Sequence, residues 1–305
     1  MPHVTAADVA HRLSWNAVAD AIWAAHHRPR PGIADAFVHR GDDVLLSRAA
    51  WIDGMGAGAK TVTAIAGNAA RGLPTIHGAM LVFDDETGRP RAVIDSDLIT
   101  RWKTAGDSVL GARLLARPDA RHLVIIGAGA VADSLIEAYA ELFPGLERIA
   151  IASRRAESAR ALVNEKKAMY PVEIAKDIQQ TVREADIIAT ATTSREPVLR
   201  GEWVGPGTHV DLIGAFTPEM READDALLKK ARIFIDSHAT VPDHIGELKI
   251  PLDQGVIARS DILGDLYDLA AGTPGRVSPS DITLFKNGGG AHLDLMTADL
   301  ILSLL

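Results

Sequence analysis

The chain has 305 residues, enough for two domains of ordinary size, so a single small module is excluded. Its 32 Lys and Arg and its 40 Asp and Glu give a net charge of −8. This charge argues against non-specific nucleic-acid binding, which needs a basic surface to displace counterions from phosphates. The absence of Cys excludes disulfides, a thiolate nucleophile and thiolate metal ligands. We find no signal-peptide pattern and no uninterrupted apolar segment of about 18 residues, so we expect a cytoplasmic protein without a membrane partner.

The first 117 residues are predicted to form a helix, a sheet and a second helix. Residues 5–25 have apolar side chains at near-helical spacing after Thr5, which can cap the helix, and residues 28–32 (RPRPG) end it. Short apolar runs then alternate with turn residues, as in a mixed or antiparallel sheet, and residues 84–88 are predicted to form a hairpin loop. A helix over residues 97–117 follows. The apolar runs lie at residues 44–47, 60–67, 78–84 and 90–96.

From residue 121 onward, buried strands alternate with helices. Residues 121–142 and 148–166 each predict a strand followed by a helix, and further buried runs lie at residues 185–192, 208–215 and 231–237. This alternation indicates a parallel, doubly wound sheet, because parallel strands need crossover connections and bury both of their faces. The strongly apolar last helix, residues 292–305, is expected to leave this sheet and pack on the first domain.

A glycine-rich turn follows the first of these strands and opens a helix. The first glycine permits a tight turn, the second lets the backbone approach a pyrophosphate, and a small third residue lets helix and strand pack closely. The helix N-terminus then binds phosphate. An ordinary strand-to-helix turn is the alternative. The candidate cofactor contacts here are Gly127, Ala128, Gly129, Ala130 and Val131, with Ala132 as the third small residue.

The end of the second strand of this domain predicts which dinucleotide is preferred. An NAD enzyme usually has Asp or Glu there to bind the ribose hydroxyls, whereas a 2′-phosphate favours a small polar residue and arginines. This chain has Ser153, Arg154 and Arg155 at that point, which favours NADP(H) and leaves NAD(H) possible. The alternative is that both arginines belong to a solvated helix start and pair with Glu157.

Several further motifs follow one another in a specific order along nearly the whole chain. They are Lys60, the pair Gly67 and Asn68 with residues 71–75 (RGLPT), residues 102–105 (WKTA), the glycine turn after Leu123, residues 214–218 (GAFTP) and the pair Gly246 and Glu247. In this order and spacing, the chain resembles the ornithine cyclodeaminase and mu-crystallin family.

The resemblance implies an α/β fold with two domains. Residues 113–291 would form a Rossmann-type doubly wound parallel sheet that binds NAD(P). Residues 1–112 would form an α+β domain for substrate binding and dimerisation, completed by the C-terminal helix at residues 292–305. Family members include ornithine cyclodeaminase, some alanine dehydrogenases and NAD(P)H-dependent reductases of cyclic ketimines such as pyrroline-2-carboxylate. We therefore expect a homodimer that binds a small cyclic imino acid or amino acid.

Two departures from the cyclodeaminase pattern bear on the activity. Cyclodeaminases have an Asp just after the glycine that matches Gly214, where it accepts protons from the substrate amine. Here Ala215, Phe216 and Thr217 follow, and the first carboxylate is Glu219. A reductase of a preformed imine does not need that base. The second departure is Lys103, where the family commonly has an Arg that binds the substrate carboxylate with two hydrogen bonds.

The candidate substrate-binding and catalytic residues lie mainly in the first domain. The resemblance implies that Lys60 reaches the substrate carboxylate or the imine; the alternative is a surface lysine whose stem covers apolar residues. Arg48 or Arg101 would share the binding task of Lys103. His77 follows Thr75 by two residues, so on a strand both would face one side, and His77 could supply the imine proton. A hydrogen-bonded histidine of the sheet is an equally good interpretation of His77.

Other candidate contacts come from the second domain. Residues 286–290 (KNGGG) are expected to let the backbone, at Gly289 in particular, approach the nicotinamide or the substrate; an interdomain hinge is the alternative. Asp236, His238, Asp243 and His244 could be interpreted as metal ligands, but no tight ligand spacing is present and we expect no metal. The remaining candidate cofactor contacts are Thr104, Thr190, Ala191, Thr192, Gly214 and Ala215.

These observations favour an NADPH-dependent oxidoreductase that reduces the C=N bond of a cyclic ketimine to give a cyclic amino acid such as L-proline. In this hypothesis Lys60 and Lys103, together with an arginine, neutralise the substrate carboxylate. The alternatives are ornithine cyclodeaminase, an alanine dehydrogenase-like enzyme, and a protein that binds NADPH without turnover.

Overall fold

The computed structural model describes residues 1–305 and divides the chain into two compact units. Unit 1 comprises Met1–Lys103 and Gly290–Leu305, and unit 2 comprises Thr104–Gly289. The sequence interpretation placed the two boundaries at residues 112/113 and 291/292, nine and two residues later. None of the helices combines the length and the hydropathy that crossing a membrane requires.

Unit 1 contains a six-stranded sheet with helices from both ends of the chain. The strand order is β1-β6-β5-β4-β3-β2; β1 pairs with β6 in parallel and all other pairs are antiparallel, which confirms the predicted mixed sheet and the hairpin at residues 84–88. The elements in chain order are β1 (His3–Val4), α1 (Ala6–Val9), α2 (Trp15–Ala25), β2 (Gly32–Arg40), β3 (Asp43–Ile52), β4 (Gly56–Ala64), β5 (Ile76–Phe83), β6 (Pro90–Asp95) and α3 (Ser96–Leu115), of which α3 continues into unit 2.

The prediction of one continuous helix over residues 5–25 was wrong. After α1 the chain forms a 3-10 turn at Ala10–Arg12, and α2 begins only at Trp15. Ser14 is the reason for the new start, because its side chain accepts a hydrogen bond from the backbone N–H of Ala17 at 3.1 Å. A serine that caps a helix has a non-helical backbone and therefore interrupts a longer helix.

Unit 2 is built on an eight-stranded parallel sheet with the order β13-β12-β14-β11-β10-β7-β8-β9, as the alternating pattern predicted. The order reverses between β7 and β10, and ligands of doubly wound sheets bind at the carboxyl ends of the strands beside such a point. The elements are β7 (His122–Ile126), α4 (Ala130–Leu142), β8 (Arg148–Ala152), α5 (Ala156–Lys166), β9 (Val172–Ile174), α6 (Ile178–Arg183), β10 (Ile187–Thr190), β11 (His209–Leu212), α7 (Asp225–Lys230), β12 (Arg232–Ile235), α8 (Gly246–Asp253), β13 (Ile262–Gly264), α9 (Leu266–Ala270) and β14 (Thr283–Lys286).

The last helix, α10 (Ala291–Ser303), belongs to unit 1 and packs against α2, β3 and β4, which confirms the expectation from its apolar sequence. Leu293, Leu295 and Met296 are fully buried in this contact layer. Gly58 on β4 allows the close approach, because a Cβ there would lie 2.3 Å from Met80 Cε and 3.1 Å from Leu295 Cδ1. The helix therefore completes the core of a unit whose other elements end at residue 103.

The two faces of the unit 1 sheet differ in chemistry. The face that carries the buried side chains of β4, here called the inner face, includes Lys60, while alternate residues form the outer face. The outer face exposes apolar side chains and a shallow pocket of about 380 Å³. The outer-face residues that line this pocket are Ala34, Ala49, Trp51, Ala57 and Ala59. Val38 and Leu45 are further exposed apolar residues of the same face.

Candidate functional site

The glycine turn of unit 2 has the geometry that a dinucleotide pyrophosphate requires. Gly127 has a φ of +139°, and a Cβ there would lie 2.4 Å from the carbonyl oxygen of Ala191, so only glycine fits. Gly129 is the N-cap of α4, a helix of 13 residues, and a Cβ at Gly129 would meet no atom within 4 Å. Gly129 and Ala130 are exposed, and no side chain caps α4. The chain therefore fits a bound dinucleotide phosphate at this N-terminus, where the helix dipole is positive.

The end of β8 places the predicted selectivity residues directly beside this turn. The Gly127 N–H donates a hydrogen bond to the carbonyl oxygen of Ala152 at 2.8 Å, and Ser153 follows. Arg154 and Arg155 are exposed, and neither forms an ion pair with Glu157. The structure thus gives no support to the alternative in which these arginines serve only to pair with the start of their own helix.

A buried carboxylate that the sequence interpretation missed holds three of the predicted cofactor contacts together. Glu222 accepts hydrogen bonds from the hydroxyls of Thr190 and Thr192, each at 2.7 Å. It also accepts the backbone N–H of Thr192 at 2.7 Å and that of Gly214 at 2.6 Å. The threonine hydroxyls therefore point to Glu222, which fixes the carboxyl ends of β10 and β11 relative to one another. Ala191 and Ala215 flank these positions, and Ala215 is fully buried.

Glu247 holds the segment that carries Glu222 and explains the motif Gly246-Glu247. Its carboxylate accepts the backbone N–H groups of Glu222 and Ala223 at 2.8 and 2.9 Å. Burial, and then the charge of Glu222, raise the pKa of Glu247 to about 7 against the opposing effect of Lys286. Lys286 is itself fully buried, and its ammonium donates to the carbonyl oxygens of Leu212 and Asn287 at 3.0 and 2.8 Å.

A second buried carboxylate network links α3 to the strands of unit 2. Asp211 accepts hydrogen bonds from the hydroxyl of Tyr139 at 2.9 Å and from that of Ser108 at 3.3 Å. The amide of Asn287 donates to the Ser108 hydroxyl and to the carbonyl oxygen of Thr104, both at 2.9 Å. Burial raises the pKa of Asp211 to about 7, although both hydroxyls and Lys286 act in the opposite direction. The predicted cofactor contact Thr104 is thereby held through its backbone.

The glycine segment before α10 is a fixed turn. Asp236 accepts the backbone N–H groups of Ser237, Gly288 and Gly289 at 2.7, 2.8 and 2.5 Å. Gly289 has a φ of +71°, a conformation that favours glycine. The local structure thus agrees with a close backbone approach at Gly289 better than with a flexible hinge.

The four residues considered as metal ligands do not come together. Asp236 binds the glycine turn, and Asp243 forms an ion pair with Arg259. His238 instead lies near Asp265 and Asp268, and the ligand atoms of these three residues fall within 4.8 Å of one another. Asp265 and Asp268 cap α9 reciprocally, which accounts for their closeness without an ion.

In unit 1, three predicted substrate-binding cations come together on the inner face of the sheet. Arg48 on β3 and Lys60 on β4 are direct cross-strand partners. Arg48 binds the carboxylate of its other neighbour, Asp35, through Nε at 3.0 and 3.1 Å and Nη2 at 2.8 Å. The Lys60 ammonium donates to Asp294 Oδ1 at 2.7 Å and makes a longer contact of 3.5 Å with the Thr100 hydroxyl.

Lys60, Lys103 and Arg48 all stabilise the negative charge of one carboxylate, that of Asp294. Burial acts to raise the pKa of Asp294, but Lys60, Lys103 and Arg48 outweigh it and hold that pKa below its usual value. Lys103 is itself buried on α3, with 7% of its surface exposed. Burial lowers the pKa of the neighbouring His292 to about 3, so this imidazole is neutral. Lys60, Lys103 and Arg48 thus form a cationic site in which Asp294 stays ionised.

The other predicted residues of unit 1 lie elsewhere. His77 pairs with Thr63 across the sheet, so it lies on the outer face, opposite to Lys60, and it is exposed. Thr75 precedes β5 and is also exposed, and its carbonyl oxygen accepts the N–H of Ile65 at 2.9 Å. Arg101 lies over the ring of Trp15, at 5.9 Å from the ring centre. A single chain therefore does not bring His77, Thr75 or Arg101 to the ammonium of Lys60.

Comparisons with known proteins agree with this geometry. Residues 30–303 match the model of the ornithine cyclodeaminase/mu-crystallin family. The chain is 52% identical over 296 residues to the Delta(1)-pyrroline-2-carboxylate reductase of Paracoccus denitrificans (strain Pd 1222), covering 96% of this chain and 94% of that protein.

Two solved structures are similar over nearly their whole length. One is the Delta(1)-pyrroline-2-carboxylate reductase of Thermococcus litoralis in complex with NADH and L-proline, with a TM-score of 0.92 and 27% identity over 99% of this chain and 97% of that one. The other is an archaeal alanine dehydrogenase dimer with bound NAD, with a TM-score of 0.91 and 28% identity over 99% of this chain and 95% of that one.

The raised pKa of Asp211 predicts a pH-dependent contribution to stability. The folded chain holds the Asp211 proton up to about pH 7, whereas an unfolded Asp releases it near its ordinary pKa of about 3.9. The stabilisation is therefore fully present below the unfolded pKa and is lost as the pH rises through about 7. Between pH 6 and 8.5 the free energy of unfolding should fall by about 1 kcal/mol more in the wild type than in Asp211→Asn, in urea titrations followed by tryptophan fluorescence.

The matched control is Glu165→Gln, which neutralises an exposed carboxylate and should leave the pH dependence as in the wild type. The buried histidines His209 and His292, whose pKa values burial lowers to about 3, are present in all three chains, and their contributions cancel in the comparison. Parallel curves for the wild type and Asp211→Asn would contradict the prediction.

Proposed function

The chain belongs to the ornithine cyclodeaminase/mu-crystallin family, and we propose that it reduces a cyclic ketimine of the pyrroline-2-carboxylate type to a cyclic amino acid such as L-proline with NAD(P)H. The observation that carries this proposal is the 52% identity to a Delta(1)-pyrroline-2-carboxylate reductase over 96% of the chain. The cationic site of unit 1 and the glycine turn of unit 2 supply the binding chemistry that such a reaction requires.

The cations of unit 1 would bind the substrate carboxylate. Lys60 and Lys103 are each only 7% exposed, and a charged hydrogen bond in such a desolvated place is stronger than one in water. Arg48 adds positive charge beside Lys60 from the neighbouring strand. By neutralising the carboxylate these residues would orient the imine ring, which is the main requirement for reduction of a preformed C=N bond.

The glycine turn of unit 2 would hold the cofactor. When bound, NAD(P)H supplies the hydride that reduces the C=N bond. Gly127 and Gly129 would let the backbone and the start of α4 bind the pyrophosphate, and Gly214 and Thr192, fixed by Glu222, would shape the neighbouring strand ends. Ser153, Arg154 and Arg155 suit a 2′-phosphate, so we propose a preference for NADPH over NADH.

The segment after Gly214 argues against ornithine cyclodeaminase. Ala215, Phe216 and Thr217 stand where the family resemblance places the proton-accepting Asp of cyclodeaminases, and Phe216 is 62% exposed. The next carboxylate, Glu219, accepts a hydrogen bond from the Thr217 hydroxyl at 2.9 Å within its own turn. This segment therefore has no carboxylate that could accept protons from the amine of ornithine, whereas reduction of a preformed imine needs no such acceptor.

The first prediction concerns the substrate and Lys60. The wild type should oxidise NADPH or NADH when pyrroline-2-carboxylate is added, with little or no conversion of ornithine to proline. Lys60→Met should lower kcat/KM for the imino acid at least about 100-fold without weakening dinucleotide binding, because a substrate charge partner is lost in the other unit. Absorbance at 340 nm measures turnover, and cofactor fluorescence measures binding.

Lys167→Met is the matched control, since Lys167 is exposed at the end of α5 and its ammonium donates to Asn164 of that helix. Efficient cyclisation of ornithine, or a greater activity with pyruvate and ammonia, would replace the proposed reaction by that of a cyclodeaminase or an alanine dehydrogenase. Near-normal imine reduction by Lys60→Met would remove Lys60 from the site.

The second prediction concerns cofactor choice. Arg154→Ala should raise the KM for NADPH at least about 10-fold and change the KM for NADH less than twofold. A charged hydrogen bond to a phosphate contributes roughly 1.5–3 kcal/mol, and NADH lacks that phosphate. Initial rates with each cofactor at saturating imino acid give both values, and Arg160→Ala, at an exposed arginine of α5, is the control. Equal changes for the two cofactors would refute the phosphate role.

The third prediction concerns assembly. We propose a homodimer formed through the outer face of the unit 1 sheet, where Trp51 is 55% and Val38 63% exposed, because large exposed apolar patches mark interaction sites. The similar archaeal alanine dehydrogenase structure is a dimer. Trp51→Glu should shift the protein from dimer to monomer in light scattering, whereas Val277→Glu, at an exposed apolar residue of unit 2, should not. A wild-type monomer, or a dimer that both variants retain, would contradict this assignment.

A further inference from the structure

The ammonium of Lys60 is held by a residue from the far end of the chain. Lys60 Nζ and Asp294 Oδ1 are 2.7 Å apart, although 234 positions separate them in the sequence. Asp294 lies in the first turn of α10, which packs on the strand that carries Lys60. The contact therefore depends on the docking of α10 and on no local sequence feature.

The carboxylate of Asp294 makes no hydrogen bond other than the one to Lys60. Its second oxygen, Oδ2, is buried and has no hydrogen-bond partner, so Asp294 neither caps α10 nor joins a wider network. Burying a carboxylate with a single hydrogen bond costs desolvation free energy. Because that hydrogen bond goes to Lys60, we expect the role of Asp294 to lie in its effect on Lys60.

Lys60 is the more exposed partner of this ion pair. The side chain of Lys60 keeps 9% of its surface exposed, against 1% for Asp294. One N–H of the ammonium points to Asp294 and a second to the Thr100 hydroxyl, which leaves the third for a ligand. A ligand can reach the ammonium, while Asp294 stays behind it.

The same carboxylate permits two cations to face one side of the sheet. Arg48 and Lys60 are direct cross-strand partners, and like charges in that arrangement repel each other. Each has its own carboxylate: Asp35 holds Arg48 with bonds of 2.8–3.1 Å, and Asp294 holds Lys60 at 2.7 Å. With both carboxylates in place, the two cations stay fixed and adjacent.

We propose that Asp294 is a positioning residue for the reduction: it fixes the Lys60 ammonium so that the remaining N–H meets the carboxylate of the imino acid. This inference rests on the proposed function, which it deepens. Asp294 acts through Lys60 and does not touch the substrate.

Steady-state kinetics with pyrroline-2-carboxylate test the proposal. Asp294→Asn should raise the KM for the imino acid at least 10-fold, with the KM for the cofactor unchanged within twofold. Asp294→Glu should recover part of the loss, because it restores a carboxylate. Asp299→Asn is the control, since Asp299 lies on the same helix and pairs with Arg91 at 3.3 Å on the surface. A residue needed only for folding would instead reduce the active fraction, which lowers the apparent kcat and leaves KM unchanged.

A double-mutant comparison isolates the path through Lys60. In a Lys60→Met background, Asp294→Asn should change kcat/KM less than twofold, because the group that it positions is already absent. Melting curves establish that each variant is folded. Additive losses in the double variant, or a normal KM in Asp294→Asn, would overturn the proposal.

A readout without substrate separates this inference from the proposed function. Reductive methylation with formaldehyde and a borane reagent, followed by peptide mass spectrometry, measures how accessible the Lys60 amine is. Asp294→Asn should raise the Lys60 labelling rate at least threefold, and Asp299→Asn should not. Faster labelling in a protein that fails to reduce the imino acid would refute the proposed function and support the positioning of Lys60. Unchanged labelling would refute the positioning in either case.

Discussion

The ion pair between Lys60 and Asp294 joins the fourth strand of unit 1 to the last helix of the chain, and the geometry of the cationic site depends on it. A buried ion pair adds little net stability, because the desolvation of both charges offsets their attraction. Removal of one partner is costly, at roughly 3–5 kcal/mol, because the other charge then stays buried and unpaired. The pair therefore serves to specify where the Lys60 ammonium lies, and it forms only when α10 is docked on the sheet.

The rule that a buried charge needs a partner also applies to unit 2, where most of the buried charged side chains are acidic. Buried carboxylates there bind backbone N–H groups: Glu222 at the ends of β10 and β11, Glu247 under the segment of Glu222, and Asp236 at the glycine turn. Each needs its hydrogen bonds because a buried acceptor without donors is unfavourable. Lys286, fully buried among them, offsets part of their mutual repulsion. Buried carboxylates thus fix the backbone of the segments at the carboxyl edge of the sheet through hydrogen bonds.

Features that depend on neighbouring residues could be predicted from the sequence. Features that depend on contacts between distant residues could not. The glycine turn, the parallel strands and the last helix follow from periodicity and from glycine chemistry, and the structure contains all three. Ser14 interrupts the first helix because a local side-chain hydrogen bond competes with helix continuation, a signal that the apolar spacing hides. The role of Asp294 depends on Lys60, 234 positions away, and that of Glu222 depends on partners up to 32 positions away. No sequence motif indicates such contacts. The position of His77 depends on strand register, where a shift of one residue exchanges the two faces.

The return of α10 to unit 1 also constrains the order in which the chain can fold during synthesis. Unit 2 is one continuous segment, Thr104–Gly289, so all of its strands are available as soon as it has left the ribosome. The sheet of unit 1 is synthesised before unit 2, yet Leu293, Leu295 and Met296, which cover its inner face, are made after unit 2. Until then Lys60 faces water without its carboxylate. Unit 1 is thus completed only after the whole of unit 2 has been synthesised, and the Lys60–Asp294 ion pair forms no earlier than that.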